Sequence, residues 1–435
     1  MQKILLITHI LKSYYKMGAI YLYIMDINLS EGTTGVDRYI EKLIEGLKHH
    51  LYIHVYRIQF LLNKSLILYR EEQKEYYTQV ILPLPQNYME IISKEFWMRK
   101  YSEYAFHIIK KYFPQKENCI LHLQTLNLID MALLIKQHVN CTIITHLHCI
   151  PWKNYYNLNI KWFNSLYKII DSGSGNIMNR TFFLSNRSEL NSYVQTDHII
   201  CVTQSEVNFL TDIIGIQKSK ISIVHNGIND YTNGYKRHFK SRSDSLFQCL
   251  FVANLSKSKG LEFILQALRI LKKKGYDITL KIAGYTTQAT THTIQSEYND
   301  LNIFFLGNQS FEQLIELYKD SDIGLIASLQ EQWSFAAVEM AMFGLPIITT
   351  TADGLDEIFT DNVNALKVPL SFSSIFGLRI DPEMIATKIK LLIENCELRK
   401  KLSTNARMLY KKKLTLDLMT ERTIKVYKQI NKLHI

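Results

Sequence analysis

Two glutamates in a largely apolar stretch carry the strongest chemical signal in the chain. Residues 322–350 read DIGLIASLQEQWSFAAVEMAMFGLPIITT, and Glu339 is the sole polar position between residues 335 and 343. A carboxylate held there must face water or meet strong hydrogen-bond donors, because unpaired burial is costly. Sugar or ribose hydroxyls are such donors. Glu331 lies eight residues earlier, in a loop that follows the apolar run 323–327, where open α/β sheets place their ligands. Between the two, the backbone N–H groups near Ser334 and Phe335 and the positive end of a helix offer a seat for an anion. Two hydroxyl acceptors flanking a phosphate seat are the chemistry of a nucleotide-sugar pocket.

Those groups need a frame. Residues 323–327 read as a strand and 334–343 as a helix stopped by Gly344 and Pro346, and 347–350 read as the next strand, together an α/β crossover unit. The spacing of the glutamates, with seven residues between them, the following MAMFGLPIITT and the segment TADGLDEIF resemble the paired-glutamate motif of retaining GT-B glycosyltransferases of the family 4, or group 1, type. The resemblance implies an α/β chain of GT-B architecture: two Rossmann-like, doubly wound domains facing a central cleft, with a C-terminal helix crossing back to the N-terminal domain. It implies transfer of a sugar from a nucleotide-sugar donor with retention of configuration. No metal or other cofactor is expected, and no glycosidase-type carboxylate pair.

The resemblance assigns roles along the chain. NLSKSKG at 254–260 stands where the family neutralises the donor diphosphate with Arg and Lys; Lys259 matches the lysine, while Asn254 replaces the arginine with neutral hydrogen bonds. Lys257 is a partial substitute. Lys259, Asn254 and the amides near Ser334 and Phe335 are expected to stabilise the leaving diphosphate, Glu331 to hold sugar hydroxyls, and Glu339 the ribose. In ITHLHCIPW, His148 matches the histidine that approaches the transferred sugar, with Cys149 in place of the usual Asp and His146 a competing assignment. His122 and Gln124 occupy the places of a frequent His-x-His. Gly35, in the loop GTTGVDRYIEKLIEGL, resembles the glycine that touches donor phosphate or acceptor. The catalytic set is thus His148, Glu331 and Lys259. Substitution at Asn254 and Cys149 motivates an alternative, a GT-B protein that has lost catalysis and serves in binding or assembly.

Composition sets the outer bounds. At 435 residues, with 47% hydrophobic content and 7 prolines, the chain has room for two ordered domains. We place them at 1–232 (acceptor side) and 233–413 (nucleotide-sugar side), with 414–435 as the returning helix. The strand at 20–25 feeds the glycine loop, which leaves residues 1–16 as a candidate extension; a first strand at 3–10 is the competing placement. Strands are expected at 51–60, 79–82, 119–123, 141–145 and 198–203, and helices at 92–112, 128–138, 158–170 and 205–213. The net charge of +11 suits acidic partners, such as the phosphorylated donor or an anionic membrane surface, yet no nucleic-acid motif accompanies it. Six cysteines without a CxxC pair read as reduced residues of a cytoplasmic protein, with peripheral contact at the inner membrane face as a candidate. Asp320-Ser321-Asp322 spells Asp-x-Asp but falls between a helix and a strand and reads as a solvated junction. The acceptor, the sugar and the base are not encoded in any motif.

Overall fold

A computed structural model of the chain describes residues 19–29, 34–63, 65–86, 95–113, 118–150, 189–239, 247–373 and 377–431. The competing strand at 3–10, the helix expected at 158–170 and the tip of the glycine loop lie outside them. The chain divides into two compact units: one runs to Cys149, resumes before Val224 and takes Leu416 onward, while the other holds Ile150 and His225–Thr415. The changeover therefore falls at Val224 and His225 rather than after residue 232. The reason is packing, since Ile228, Tyr231 and Tyr235 belong to the apolar core of the second unit.

The first unit is built on strands β1 (Ile20–Asn28), β2 (Ile53–Leu61), β3 (Arg70–Gln73), β4 (Tyr77–Pro83), β5 (Asn118–Leu123), β6 (Cys141–Leu147), β7 (His198–Cys201) and β8 (Ile221–Ile223). Their order in the sheet is β3-β4-β2-β1-β5-β6-β7-β8, and every pairing is parallel except β3 with β4. Near-continuous apolar strands such as β1, with Ile20, Leu22, Tyr23, Ile24 and Met25 all fully buried, are what a sheet covered on both faces requires. Helix α1 (Gly35–Leu47) opens with a capping box between Thr34 and Asp37 and buries Tyr39, Ile40, Leu43 and Leu47. Helices α2 (Glu95–Ile109) and α3 (Ile129–Lys136) help cover the sheet. The hairpin strand β3 escapes sequence pattern because REEQ has no apolar alternation.

The second unit has strands β9 (Phe247–Val252), β10 (Ile278–Ala283), β11 (Asn302–Gly307), β12 (Ile323–Ile326), β13 (Ile347–Thr350) and β14 (Leu366–Val368) in the order β11-β10-β9-β12-β13-β14, all parallel. A hairpin of β15 (Leu370–Ser373) and β16 (Gly377–Ile380) follows. Helices α4 (Leu261–Lys273), α5 (Phe311–Asp320), α6 (Phe335–Met342), α7 (Asp353–Ile358), α8 (Pro382–Glu394) and α9 (Cys396–Lys413) surround it. The last helix, α10 (Leu416–Ile430), packs on α1 in the first unit. Among the described residues no helix is long and apolar enough to cross a membrane.

In the parallel part of each sheet the order reverses once. The break lies between β1 and β5 in the first unit and between β9 and β12 in the second. Loops leaving the carboxyl ends of such strand pairs diverge and open a crevice for ligand.

Candidate active site

At the second break, β9 pairs with β12 in parallel register, Cys249 beside Ile323 and Phe251 beside Leu325. The loops 253–260 and 327–334 therefore emerge side by side. They are fastened together: the Leu329 N–H donates to the Ser258 carbonyl at 2.8 Å. Gly260 takes a left-handed φ of +68°, and a Cβ there would lie 2.0 Å from the Ala327 carbonyl oxygen. Lys259 sits between these two tethers.

Its ammonium reaches Glu331, Nζ to Oε2 2.6 Å, with the side chains 29% and 12% exposed. The same carboxylate oxygen accepts from the Ser328 hydroxyl at 3.1 Å, and the Thr350 hydroxyl donates to the Ser328 carbonyl at 2.6 Å. The backbone of Glu331 is held from the other side, where its carbonyl accepts the Gly354 N–H at 2.8 Å. A side chain on Gly354 would lie 1.9 Å from the Gln332 carbonyl oxygen, so the start of α7 presses on the loop that carries Glu331. Sequence reasoning missed Ser328 and this role of Gly354; the glycine in TADGLDEIF was the available signal.

Ser334 caps α6, its hydroxyl accepting from the Ala337 N–H at 3.2 Å, with Phe335 as the first helical residue. The capping hydroxyl is thereby committed to the helix, which leaves the amides of the opening turn as the donors an anion could meet at this end. Glu339 is fully buried. A protein hydroxyl, that of Tyr318 on α5, donates to its Oε2 at 2.5 Å, a partner the sequence did not signal. Asn254 is exposed, and its Oδ1 accepts the Tyr285 N–H at 3.2 Å. That commits the carbonyl end to the loop after β10 and leaves the Nδ2 end as the donor at the place of the family arginine. Lys257 is exposed. Beside Glu331, the Trp333 ring stacks on His225 with centroids 5.1 Å apart, and His225 Nε2 meets Glu357 Oε1 at 2.8 Å. Asp322, the end of the Asp-x-Asp, accepts the Gln248 N–H at 2.8 Å, a structural tie at the foot of β9.

At the first break the residues are aromatic and neutral. His122 in β5, His146 in β6 and His148 just beyond β6 lie together, with the His146 and His148 rings stacked at 4.4 Å and those of His122 and His146 5.5 Å apart. His146 is 1% exposed, whereas His148 is only partly buried. Burial holds the pKa of His148 at about 3 and that of His122 at about 3, so both rings are neutral near pH 7. His148 Nε2 meets Gln124 Oε1 at 2.9 Å, and His122 Nδ1 meets the Tyr427 hydroxyl of α10 at 2.8 Å. Cys149 is exposed, unlike the buried Cys119, Cys141, Cys201 and Cys249. Gly35 begins α1, and a side chain there would meet no atom within 4 Å among the described residues beyond its own helix and chain neighbours. Protein packing does not demand that glycine.

The start of α1 is positioned by a buried polar network that sequence reading overlooked. Arg57 of β2 forks onto Asp26 of β1 with two 2.9 Å bonds and reaches Asp37 Oδ1 at 2.8 Å. Gln59 adds a 2.9 Å bond to Asp26, and Asp37 Oδ2 accepts the Thr34 backbone N–H at 3.0 Å.

Residues 236–409 match the family model Glycosyl transferases group 1. The chain carries a group 1 glycosyltransferase domain and is a glycosyltransferase. An uncharacterized glycosyltransferase of Methanocaldococcus jannaschii is 23% identical to it over 307 residues, 65% of this chain and 74% of the relative. Three further curated relatives are matched over 48 to 60% of their own length. In fold, this glycosyltransferase is similar to a glycosyltransferase from Rickettsia africae ESF-5, with TM-score 0.68, 19% identity, and 95% of this chain and 100% of the other covered. It is also similar to Anabaena Alr3699/HepE in complex with UDP-glucose, with TM-score 0.62, 15% identity, and 94% and 99% covered. The glycosyltransferase thus has the GT-B fold.

Proposed function

We propose that this glycosyltransferase takes its sugar from a nucleotide-sugar donor held by the second unit and transfers it with retention of configuration. The observation that carries the reading is the Lys259–Glu331 pair at the break in strand order, 2.6 Å apart and tethered on both sides. As the glycosidic bond to the donor breaks, negative charge grows on the departing diphosphate. The Lys259 ammonium and the opening-turn amides of α6 stabilise it, with the Asn254 amide as a neutral third donor. Glu331 accepts from sugar hydroxyls while Ser328 and Lys259 keep its carboxylate in place. Glu339 serves the ribose, whose hydroxyl must join or displace that of Tyr318 there. In the first unit, His148 is the group offered to sugar hydroxyls and Gly35 the one offered to phosphate or acceptor. The reaction needs no metal in this reading, and the departing phosphate takes the acceptor proton. The fold similarity to a protein seen with UDP-glucose supports the donor class. The net charge of +11 suits peripheral contact of a cytoplasmic enzyme with an anionic membrane.

The test is a panel of UDP-, GDP- and ADP-hexoses scored by thermal shift and by slow hydrolysis with water as acceptor. A ligand that binds the native state raises the unfolding midpoint. The expected result is one nucleotide class that stabilises the protein and releases a sugar of unchanged anomeric configuration by NMR. Release of the inverted anomer would overturn the retaining mechanism, and no response to any sugar nucleotide would overturn the donor assignment.

A further inference from the structure

The turn between β2 and β3 exposes large apolar side chains in succession. Leu62, where the turn begins, still packs against the core of the first unit. Beyond it Ile67 is 83% exposed, Leu68 71% and Tyr69 41%. Single exposed apolar residues are ordinary, but a consecutive run of them costs solubility and is kept where it is used.

The base of the turn is fixed, so the run is presented as a tip. The Ser65 N–H donates to Asn63 Oδ1 at 2.8 Å and the Leu66 N–H to the Asn63 carbonyl at 3.2 Å, an Asx turn closed by a backbone bond. Gln86 Nε2 donates to the same carbonyl at 3.3 Å. The Leu62 N–H donates to the Asn28 carbonyl, where β1 ends, at 3.0 Å. The tip therefore leaves the carboxyl ends of the parallel strands, the edge of the sheet from which His148 also emerges, on the side of the outermost strand β3. Its surroundings are basic. Lys64 and Arg70 bracket it in sequence, the Arg70 side chain is 63% exposed, and Lys111 Nζ stands 5.5 Å from the centre of the Tyr69 ring. The two glutamates of β3 are already paired, Glu71 with Lys111 at 3.0 Å and Glu72 with Lys74 at 2.5 Å, with Arg70 standing off from Glu72 at 3.7 Å.

We propose that residues 66–69 form a membrane-docking tip that sinks Ile67 and Leu68 among the lipids of an anionic bilayer, with Tyr69 at headgroup level and Arg70 on lipid phosphate. This rests on the peripheral contact proposed above and gives it an address in the first unit. An aliphatic anchor, an interfacial aromatic ring and flanking bases are the parts such a contact uses. A bilayer fits this surface better than a protein does. Two aliphatic side chains on a convex turn fall far short of the about 800 Å² per partner of a standard protein interface, whereas a fluid acyl layer needs no matching cavity.

The test is co-sedimentation of the full chain with vesicles. The wild type should bind vesicles of phosphatidylcholine and phosphatidylglycerol in equal parts and bind pure phosphatidylcholine weakly. Ile67→Ser combined with Leu68→Ser should weaken partitioning into the mixed vesicles at least about tenfold, the loss of two buried aliphatic side chains. Arg70→Gln should weaken it about fivefold, and only at low salt. Both variants should keep the circular dichroism spectrum and the vesicle-free donor hydrolysis of the wild type, because these side chains lie outside the site. Failure of the wild type to bind the mixed vesicles would overturn the peripheral contact together with the tip. Binding that the double variant retains in full would overturn the tip alone. A vesicle-free dimer in ultracentrifugation that the double variant abolishes would give the tip to a second copy of the chain and overturn the proposal.

Discussion

The Lys259 ammonium and the Glu331 carboxylate meet 2.6 Å apart across two loops that leave neighbouring strands. The pair brings a cation that can follow a departing diphosphate against an acceptor that can hold sugar hydroxyls. Replacing Glu331 by Ala removes charged hydrogen bonds of about 1.5 to 3 kcal/mol, so kcat/KM should fall roughly ten- to a hundredfold. Steady-state kinetics on the preferred donor checks this, and an unchanged rate would take Glu331 out of the site.

Gly260 places the lysine. Gly260→Ala would put a Cβ 2.0 Å from the Ala327 carbonyl oxygen at a φ of +68°, whereas Gly275→Ala, at φ +84°, meets nothing within 4 Å. Both variants carry backbone strain of roughly 1 to 3 kcal/mol, but only the first must also push the two site loops apart. Denaturant unfolding should therefore show Gly260→Ala as the less stable of the two, and only it should lose turnover.

Arg57 compensates two buried carboxylates, Asp26 at 2% and Asp37 at 7% exposure. Arg57→Met should cost about 3 to 5 kcal/mol, because a broken buried pair leaves uncompensated charge. Equilibrium unfolding followed by circular dichroism measures it. A loss below about 1 kcal/mol would mean that the network does not hold the start of α1.

The buried histidines make stability depend on pH with a definite sign. His122 and His148 have folded pKa values of about 3 and His146 lies well below its ordinary value, all through burial. Between the folded pKa and about 6.5 the unfolded chain binds protons that the folded chain refuses. Stability contributed by these neutral rings is therefore complete above about pH 6.5 and is lost as pH falls, at up to about 1.4 kcal/mol per pH unit for each fully buried ring. Glu189, raised to about 7 by burial, acts in the opposite sense, so the informative quantity is a difference between proteins. His146→Phe sacrifices no hydrogen bond, since neither ring nitrogen has a partner among the described residues. Its melting temperature should drop less than that of the wild type between pH 7 and pH 5.

The second unit was the more legible in sequence. Glu331, Glu339, Ser334, Phe335 and Lys259 lie in short segments tied to one strand–loop–helix unit, and local spacing places them. What spacing could not show were partners supplied from elsewhere in the fold: Tyr318, 21 residues from Glu339, and Gly354, pressed on the Glu331 loop from α7. In the first unit, strand positions were readable from apolar runs, but the Asp26–Arg57–Asp37 network was not. Its members sit on separate elements, and a charge inside a strand reads as solvated until its neighbours are known. The different burial of His146 and His148 was likewise not legible, because residues two apart at a strand end can share a face.

Whether Lys259 and Glu331 grip an activated sugar is decided by calorimetric titration of the wild type and Lys259→Ala with UDP-, GDP- and ADP-glucose. The expected result is that one of the three binds the wild type and binds Lys259→Ala at least about tenfold more weakly, the loss of one charged contact. Equal affinity in the two proteins would mean that Lys259 does not hold the donor.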